Sequence, residues 1–101
     1  MSKHHVYILY SERLDRYYVG NTDLDPLHRL RQHNEQQHKS AYTASGVPWT
    51  LIYVISCGSR LQSRRIELHI KRMKSKIYIQ NLQKYGEIAE KLLAKYSTDQ
   101  E

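Results

Sequence analysis

Two short β-favouring runs near the N-terminus constrain the fold of this chain more than any other feature. The first run, residues 6–10 (VYILY), has no charged or small polar residue, which is typical of a strand buried on both faces. Only the polar segment 11–15 separates it from the second run, residues 16–20 (RYYVG), so the two can pair as an antiparallel hairpin. We therefore expect residues 6–10 to form a central strand and the second strand to end at Gly20.

Helix and strand signals then alternate along the chain. Asp25 directly before Pro26 is an N-cap and first-turn pair, which predicts a helix that begins there and ends near residue 36. The polar segment 37–48 predicts a loop that is long enough to have a function of its own. Residues 49–55 (WTLIYVI) predict a third strand.

Helices account for the rest of the pattern. Ser59, with a glutamine three residues later, is a capping box and predicts a helix over 59–74. A shorter helix is expected over 77–84, with Gly86 breaking it before a last amphipathic helix at about 87–96. The order is ββαβα plus a C-terminal helix, which predicts an α/β domain with a three-stranded sheet flanked by helices.

Length and composition exclude several classes of protein. The 101 residues are enough for a single domain over 1–101, and a chain with 40% hydrophobic residues is too apolar to be disordered. Its longest apolar runs have five residues, far fewer than the roughly 20 of a membrane span. One cysteine, Cys57, cannot form an internal disulfide, and the N-terminus lacks a signal-peptide pattern. We expect a cytoplasmic protein that does not associate with membranes.

The positive charge is concentrated in one part of the chain. Residues 1–50 contain six Lys/Arg and five Asp/Glu, whereas residues 57–84 contain one acidic residue and eight basic ones: Arg60, Arg64, Arg65, Lys71, Arg72, Lys74, Lys76 and Lys84. Such a cluster is typical of a surface that binds a phosphate backbone. The alternative is a solvated helix face. An anionic membrane is disfavoured because the segment has no Trp/Phe/Leu-rich face.

Four residues in the first third of the chain are candidates for chemistry. Tyr7 and Tyr18 lie on adjacent strands of the hairpin, so their hydroxyls can converge on one side of the sheet, or each can be a core aromatic. Arg29 and His33 are four residues apart and share a helix face. An Arg beside a His suits phosphate chemistry, with a solvated surface pair as the alternative.

Glu67 is the only acidic residue within the basic segment. It can pair with Lys71 one helical turn later, or it can hold a cation. A single carboxylate is sufficient for Mg²⁺, which keeps several waters and shares substrate phosphates. The histidines show no zinc-binding spacing, and there is no glycine-rich loop for a nucleotide cofactor.

These residues together resemble the GIY-YIG nuclease domain, in particular its small single-domain bacterial members, over about residues 4–83. The resemblance depends on the order and spacing of several short motifs: Val6-Tyr7-Ile8-Leu9, Tyr18-Val19-Gly20, Arg29, His33-Asn34, Tyr42-Thr43, Pro48-Trp49 and Glu67 followed by Lys71. Two positions depart from the family pattern. His5 replaces the first glycine of the signature, and Asn21 stands where some repair members have a lysine.

The resemblance implies a phosphodiesterase that uses one divalent ion, Mg²⁺ or Mn²⁺, held by Glu67. It implies catalytic roles for Tyr7 and Tyr18, a phosphate contact for Arg29 and assistance in proton transfer for His33. Nucleic-acid contacts are expected from Thr43 and from seven basic residues: Arg60, Arg64, Arg65, Lys71, Arg72, Lys74 and Lys76.

The function predicted from this resemblance is an endonuclease that hydrolyses DNA, at branched, nicked or damaged sites in repair or recombination. Because no DNA-recognition domain is attached, target choice is expected to come from DNA shape or from a protein partner. One alternative is a nucleic-acid-binding module with little or no cleavage activity. Another is an interaction protein whose basic face is incidental.

Overall fold

The centre of the molecule is a three-stranded antiparallel sheet, in a computed structural model that describes residues 4–35 and 41–97. Its strands are β1 (His4–Ser11), β2 (Arg16–Thr22) and β3 (Trp49–Cys57), in the spatial order β2-β1-β3. The four residues from Val6 to Leu9 are each at most 1% exposed. The prediction of a central strand buried on both faces is therefore confirmed.

Five helices lie on the two faces of this sheet within the described ranges: α1 (Pro26–Asn34), α2 (Ala41–Ser45), α3 (Arg60–Met73), α4 (Lys76–Lys84) and α5 (Gly86–Lys95). The order of elements confirms the predicted α/β fold with a three-stranded sheet flanked by helices. No helix in this part of the chain has the length and apolar character needed to cross a membrane. The cytoplasmic location stays a prediction.

The second strand does not end at Gly20, as the sequence predicted. Gly20 pairs with Tyr7 in the ladder, and the pairing continues until Thr22 lies opposite His5. A glycine is a turn signal only where the chain leaves the sheet, and here the partner strand keeps pairing for two more residues. The third strand is likewise longer than predicted and ends at Cys57.

The helices differ from the predictions in two places. The segment expected to be a loop over 37–48 contains α2, whereas residues 36–40, where α1 was expected to end, lie outside the described residues. Gly86 is not a break but the first residue of α5, and Tyr85 separates the two helices. A glycine at the start of a helix costs little, because the conformational penalty applies mainly to the helix interior.

The predicted helix starts at Asp25 and Ser59 are confirmed by their capping hydrogen bonds. The Asp25 carboxylate accepts from the amide of Leu27 at 3.0 Å, and the Ser59 hydroxyl accepts from the amide of Gln62 at 3.1 Å. The Gln62 side chain reaches back to the amide of Gly58 at 2.6 Å. These bonds satisfy backbone donors that a helix N-terminus leaves without partners.

The two faces of the sheet bury different side chains. On the aliphatic face, α3, α4 and α5 cover a core that contains Val6, Ile8, Val19, Ile55, Cys57, Ile66, Ile70, Ile79, Leu82, Ala89 and Leu92. On the aromatic face, α1 lies near a smaller cluster of Tyr7, Leu9 and Trp49, against which Tyr18 and Leu30 pack. Successive residues of β1 point to opposite faces, so one strand supplies both cores.

Candidate active site

The ring of Tyr7 crosses β2 directly above Gly20. A Cβ atom at Gly20 would lie 2.6 Å from the Tyr7 hydroxyl oxygen and 2.7 Å from Cζ, closer than any side chain tolerates. Glycine is therefore required at this position because the phenol occupies the space that a side chain would take. The phenol thereby reaches toward the β2 edge of the sheet.

Tyr7, Tyr18 and His33 form a compact cluster on the aromatic face. The register pairs Tyr7 with Gly20 and Leu9 with Tyr18, so both tyrosines point to the same side of the sheet, with their ring centroids 6.3 Å apart. The His33 ring lies 4.8 Å from the Tyr18 ring, and its Nε2 shares a hydrogen bond of 3.1 Å with the Tyr7 hydroxyl. The convergence predicted for the two tyrosines is present in the structure.

Arg29 lies one helical turn before His33. Its Nη1 donates to Gln32 Oε1 at 2.8 Å, and its positive charge lies near enough to Tyr7 to lower the pKa of the phenol in part. Its Nε is buried without a hydrogen-bond partner in the part of the chain that the structure describes. Because buried donors are nearly always satisfied, this guanidinium retains a donor that suits a phosphate oxygen.

The Tyr7 hydroxyl is held in its neutral form. Burial raises the pKa of Tyr7 above its ordinary value, and the nearby Arg29 guanidinium opposes this shift without cancelling it. Desolvation favours the uncharged phenol because a phenolate loses its hydration in the core. A role for Tyr7 in moving protons therefore needs an acceptor for its own proton, and His33 Nε2 is in hydrogen-bond contact with it.

Glu67 is on α3, in the middle of the edge formed by β2 and α3. Only 9% of the residue is exposed. The Asn21 carboxamide donates to its Oε1, and Lys71 Nζ donates to its Oε2 at 2.5 Å. The pairing with Lys71 that the sequence offered as one alternative is thus present. The Lys71 side chain is 48% exposed, so it can move into solvent without disturbing the core.

The Glu67 carboxylate is the one acidic ligand that the described part of this site offers a cation, which suits a hard, mostly hydrated ion and not a fully protein-bound one. No group of three or more His, Cys, Asp or Glu side chains that could hold a metal occurs among residues 4–35 and 41–97. A lone carboxylate is a suitable ligand for Mg²⁺ or Mn²⁺, which take their other ligands from water and from phosphate oxygens. Lys71 already places a positive charge against this carboxylate.

A cleft of about 390 Å³ lies beside this edge, and we call it the arginine cleft. Its lining includes Asn21, Asp23, Arg29, Arg60 and Arg64. Asp23 forms an exposed ion pair of 3.5 Å with Arg60, which is worth little in water. The cleft thus combines three guanidinium groups with one carboxylate and gives an anion access to Arg29.

Comparison with protein-family models matches residues 3–86 to the GIY-YIG catalytic domain. The chain belongs to the GIY-YIG family. Neither the comparison with curated proteins nor the comparison with solved structures gives a match. Membership indicates a nuclease-type protein whose substrate is a nucleic acid, in a family whose members generally depend on divalent metals.

The remaining predicted contacts of this GIY-YIG domain are distributed over several surfaces. Thr43 is only 2% exposed, and its carbonyl accepts from the Trp49 indole at 2.8 Å, which favours a packing role for this residue. Arg65 and Arg72 lie roughly 150° around the axis of α3 from Glu67. Lys76 is at the start of α4, where its Nζ bonds to Asp15 at 2.8 Å.

Two contributors to the GIY-YIG site were not predicted from the sequence. Asn21 contacts Glu67, which is 46 positions away in the sequence, and no local sequence pattern predicts such a contact. Asn34 fixes the end of α1 to β3, since its carboxamide accepts from the Trp49 amide at 2.6 Å and donates to the Trp49 carbonyl at 3.0 Å. This paired contact resembles a ladder bond and holds α1, with Arg29 and His33, at a fixed distance from the sheet.

Proposed function

We propose that this protein is a divalent-metal-dependent endonuclease that hydrolyses DNA, at branched, nicked or damaged sites in repair or recombination. One observation carries the proposal: three elements, β1, α1 and α3, bring a buried carboxylate, a guanidinium and a phenol–imidazole pair to one edge of the sheet. The Tyr7 hydroxyl is the centre of this arrangement, since it shares a hydrogen bond with His33 and its pKa responds to the charges of Arg29 and Glu67. Phosphodiester hydrolysis is accelerated by a metal-binding carboxylate, a cation that stabilises the phosphate charge and a proton acceptor, and this arrangement supplies all three.

Each group has a role in the proposed reaction. Glu67 would hold the metal ion, which when bound would polarise the phosphate and lower the pKa of a coordinated water. Arg29 binds a non-bridging oxygen of the scissile phosphate and stabilises the charge that develops there. The Asn21 carboxamide orients the Glu67 carboxylate through its hydrogen bond to Oε1.

The proton of the attacking water is transferred through Tyr7 to His33. The water oxygen forms a bond to phosphorus while the bond from phosphorus to the leaving oxygen breaks, and that oxygen takes a proton from solvent. Tyr7 accepts the proton of the water as it gives its own to His33 Nε2, 3.1 Å away. This relay avoids a free phenolate, which the raised pKa of Tyr7 disfavours.

The second candidate function is a nucleic-acid-binding module without cleavage activity. One contact favours it: both oxygens of Glu67 accept hydrogen bonds, from Asn21 and from the Lys71 ammonium. A carboxylate that keeps its ammonium partner in the complex does not bind a metal, whereas the basic surface still binds phosphates.

Cleavage of a DNA panel separates the two candidates. Linear, nicked, flapped and four-way-junction DNAs are incubated with Mg²⁺ or Mn²⁺ and with wild type, Glu67→Gln or the matched control Glu87→Gln, which alters an exposed carboxylate on α5. We expect wild type and Glu87→Gln to cut and Glu67→Gln to bind DNA without cutting. Equal cutting by Glu67→Gln contradicts the metal-ligand assignment. Binding by all three proteins with no cleavage establishes the second candidate.

A further inference from the structure

One face of α3 carries a continuous row of charged side chains, which we call the α3 row. It consists of Arg60, Arg64, Glu67, Lys71 and Lys74, spaced alternately by four and three residues. This spacing keeps the four helical residues on the same side of α3, and Lys74, the left-handed C-cap residue, follows directly after the helix. Glu67 is the midpoint, seven residues from either end, so the basic residues continue on both sides of the carboxylate.

The arginine cleft occupies the N-terminal half of the α3 row, and a second cleft occupies the C-terminal half. This second cleft, which we call the lysine cleft, has a volume of about 670 Å³. Its charged lining comprises four basic side chains and one acidic side chain: Arg16, Lys71, Lys74, Lys76 and Asp15. The proposed reaction uses none of the four basic groups.

Two of these basic groups have no ion-pair partner within residues 4–35 and 41–97. Lys76 pairs with Asp15, and Lys71 pairs with Glu67. Arg16 on β2 and Lys74 at the end of α3 take part in no salt bridge among the described residues, and both are exposed. An uncompensated pair of cations in a concave site attracts an anion more strongly than the same charges on a convex surface do.

The lysine cleft shares two contacts with the candidate active site. Tyr18 lines the cleft and also packs against His33 in the aromatic cluster, with the two rings 4.8 Å apart. Lys71 lines the same cleft and contacts Glu67. Lys71 therefore links the lysine cleft to Glu67, and Asn21, which lines the arginine cleft, links that cleft to the same carboxylate.

The length of the α3 row fits a short stretch of nucleic acid. Fourteen positions separate Arg60 from Lys74, which correspond to about 21 Å at the usual helical rise. One strand of DNA advances by about 3.4 Å per nucleotide, so the row spans about six nucleotides. Because Glu67 is the midpoint, about three nucleotides lie on each side of the scissile phosphate.

We propose that the lysine cleft is a second phosphate-binding site, with Arg16 and Lys74 as its contacts, which holds the DNA strand on one side of the scissile bond while the arginine cleft holds it on the other. The inference rests on the proposed function, because it places the scissile phosphate at Glu67. It adds Arg16, a residue of β2, to the binding surface. It also predicts that a substrate must extend in both directions from the cut.

Salt-dependent binding tests the two clefts separately from cleavage. The fluorescence anisotropy of a labelled single-stranded DNA of about six nucleotides is measured without divalent metal, at several salt concentrations. Three double variants are compared with wild type: Arg16→Gln with Lys74→Gln, Arg60→Gln with Arg64→Gln, and the control Lys91→Gln with Lys95→Gln on α5. Urea unfolding confirms that each variant is folded.

We expect each cleft variant to lower the slope of log affinity against log salt by about 1.4, since a single strand loses about 0.7 for each phosphate contact. The control is expected to keep the wild-type slope. If Arg16 and Lys74 change the slope no more than the control does, the lysine cleft does not bind the strand and the inference fails. If wild type binds no oligonucleotide at all, the proposed function fails with it.

Uncharged linkages then test the two-sided arrangement. Methylphosphonates, which carry no charge, replace the phosphates in either the 5′ half or the 3′ half of the oligonucleotide. We expect the lysine-cleft variant to be insensitive to neutral linkages in one half and the arginine-cleft variant to be insensitive to them in the other. Sensitivity of both variants to the same half overturns the proposal. The proposal is also overturned if inorganic phosphate binds in the lysine cleft without changing the affinity for the oligonucleotide.

Discussion

The two faces of the sheet take alternate residues of the same strand and use them differently. On the aliphatic face, Val6 and Ile8 join isoleucines and leucines of α3, α4 and α5. On the aromatic face, Tyr7 is buried together with polar side chains such as His33 and Thr43. Burial of apolar area stabilises the first face at about 25 cal/mol per Å². The second face gives up part of that gain, since each buried polar group must be satisfied.

Replacing Tyr7 by Phe is expected to have the largest effect, and the effect falls on activity. The ring and its packing are retained, whereas the hydroxyl that shares a hydrogen bond with His33 is lost. We expect cleavage to fall by about 10²–10⁴-fold, the usual contribution of a positioned proton-transfer group. Single-turnover kinetics on the preferred DNA measure the loss.

The control for this variant is Tyr10→Phe, on the same strand, whose hydroxyl donates to Asp15 at 2.7 Å outside the site. Its cleavage rate is expected to match that of wild type. Loss of cleavage in both variants would show that removal of either hydroxyl from β1 is damaging, and would contradict a catalytic role specific to the aromatic face.

Replacing Ile66 by Ala is expected to have the next largest effect, and it falls on stability. Ile66 is fully buried in the aliphatic core, and truncation leaves a cavity as well as losing apolar contacts. We expect the free energy of unfolding to fall by about 2–5 kcal/mol, against about 0.5–1.5 kcal/mol for Ile66→Val. Urea denaturation at 25 °C measures both. A smaller loss for Ala than for Val is incompatible with a close-packed aliphatic face.

Replacing Gly20 by Ala couples stability to activity. The new methyl group would overlap the Tyr7 ring, whose nearest atom lies 2.6 Å from the Cβ position. We expect a loss of about 1–3 kcal/mol, as is usual for overpacking, together with a loss of cleavage, because the phenol must move away from His33. Gly86→Ala on α5 is the control, since a Cβ there meets no atom within 4 Å. Full cleavage by Gly20→Ala would show that the phenol need not cross β2.

The smallest effect concerns the reactivity of Cys57 in the aliphatic face. Burial raises the pKa of this thiol to about 11, and the residue is 1% exposed, so little thiolate forms below that pH. We expect slow labelling by a disulfide reagent at pH 8, faster labelling as the pH rises toward 11, and faster labelling at pH 8 in Ile66→Ala because opening is easier. Immediate labelling of folded wild type would contradict this view of a closed aliphatic face.

Much of the fold follows from local signals in the sequence. The apolar run of β1 predicts a strand buried on both faces, and the caps at Asp25 and Ser59 predict where two helices begin, because the responsible groups are neighbours in the chain. The same reasoning fails at Gly20 and Gly86. A glycine indicates that a conformation or a close approach is permitted, and only the tertiary partner shows which of the two applies.

The candidate site is less predictable because it depends on contacts between distant residues. Two pairs could be predicted from sequence spacing. The hairpin places Tyr7 and Tyr18 on adjacent strands, and one helical turn separates Arg29 from His33. The contact between Asn21 and Glu67 spans 46 positions and has no local signal. The division of the basic residues between surfaces is partly predictable. Helical periodicity separates the α3 row from Arg65 and Arg72, whereas the shared cleft of Arg16 and Lys74 depends on how α3 packs against β2.

The last helix has a practical consequence for anyone who wishes to reuse this protein. The family match ends at residue 86, yet α5 buries Ala89 and Leu92 in the aliphatic core, and its Leu93 carbonyl accepts from the Gln62 side chain at 2.9 Å. Truncating the chain at residue 86 would expose apolar side chains of the aliphatic core and leave the Gln62 carboxamide without its hydrogen-bond acceptor. A fusion to a DNA-targeting module should therefore be joined beyond Ser97, so that the linker leaves α5 in place.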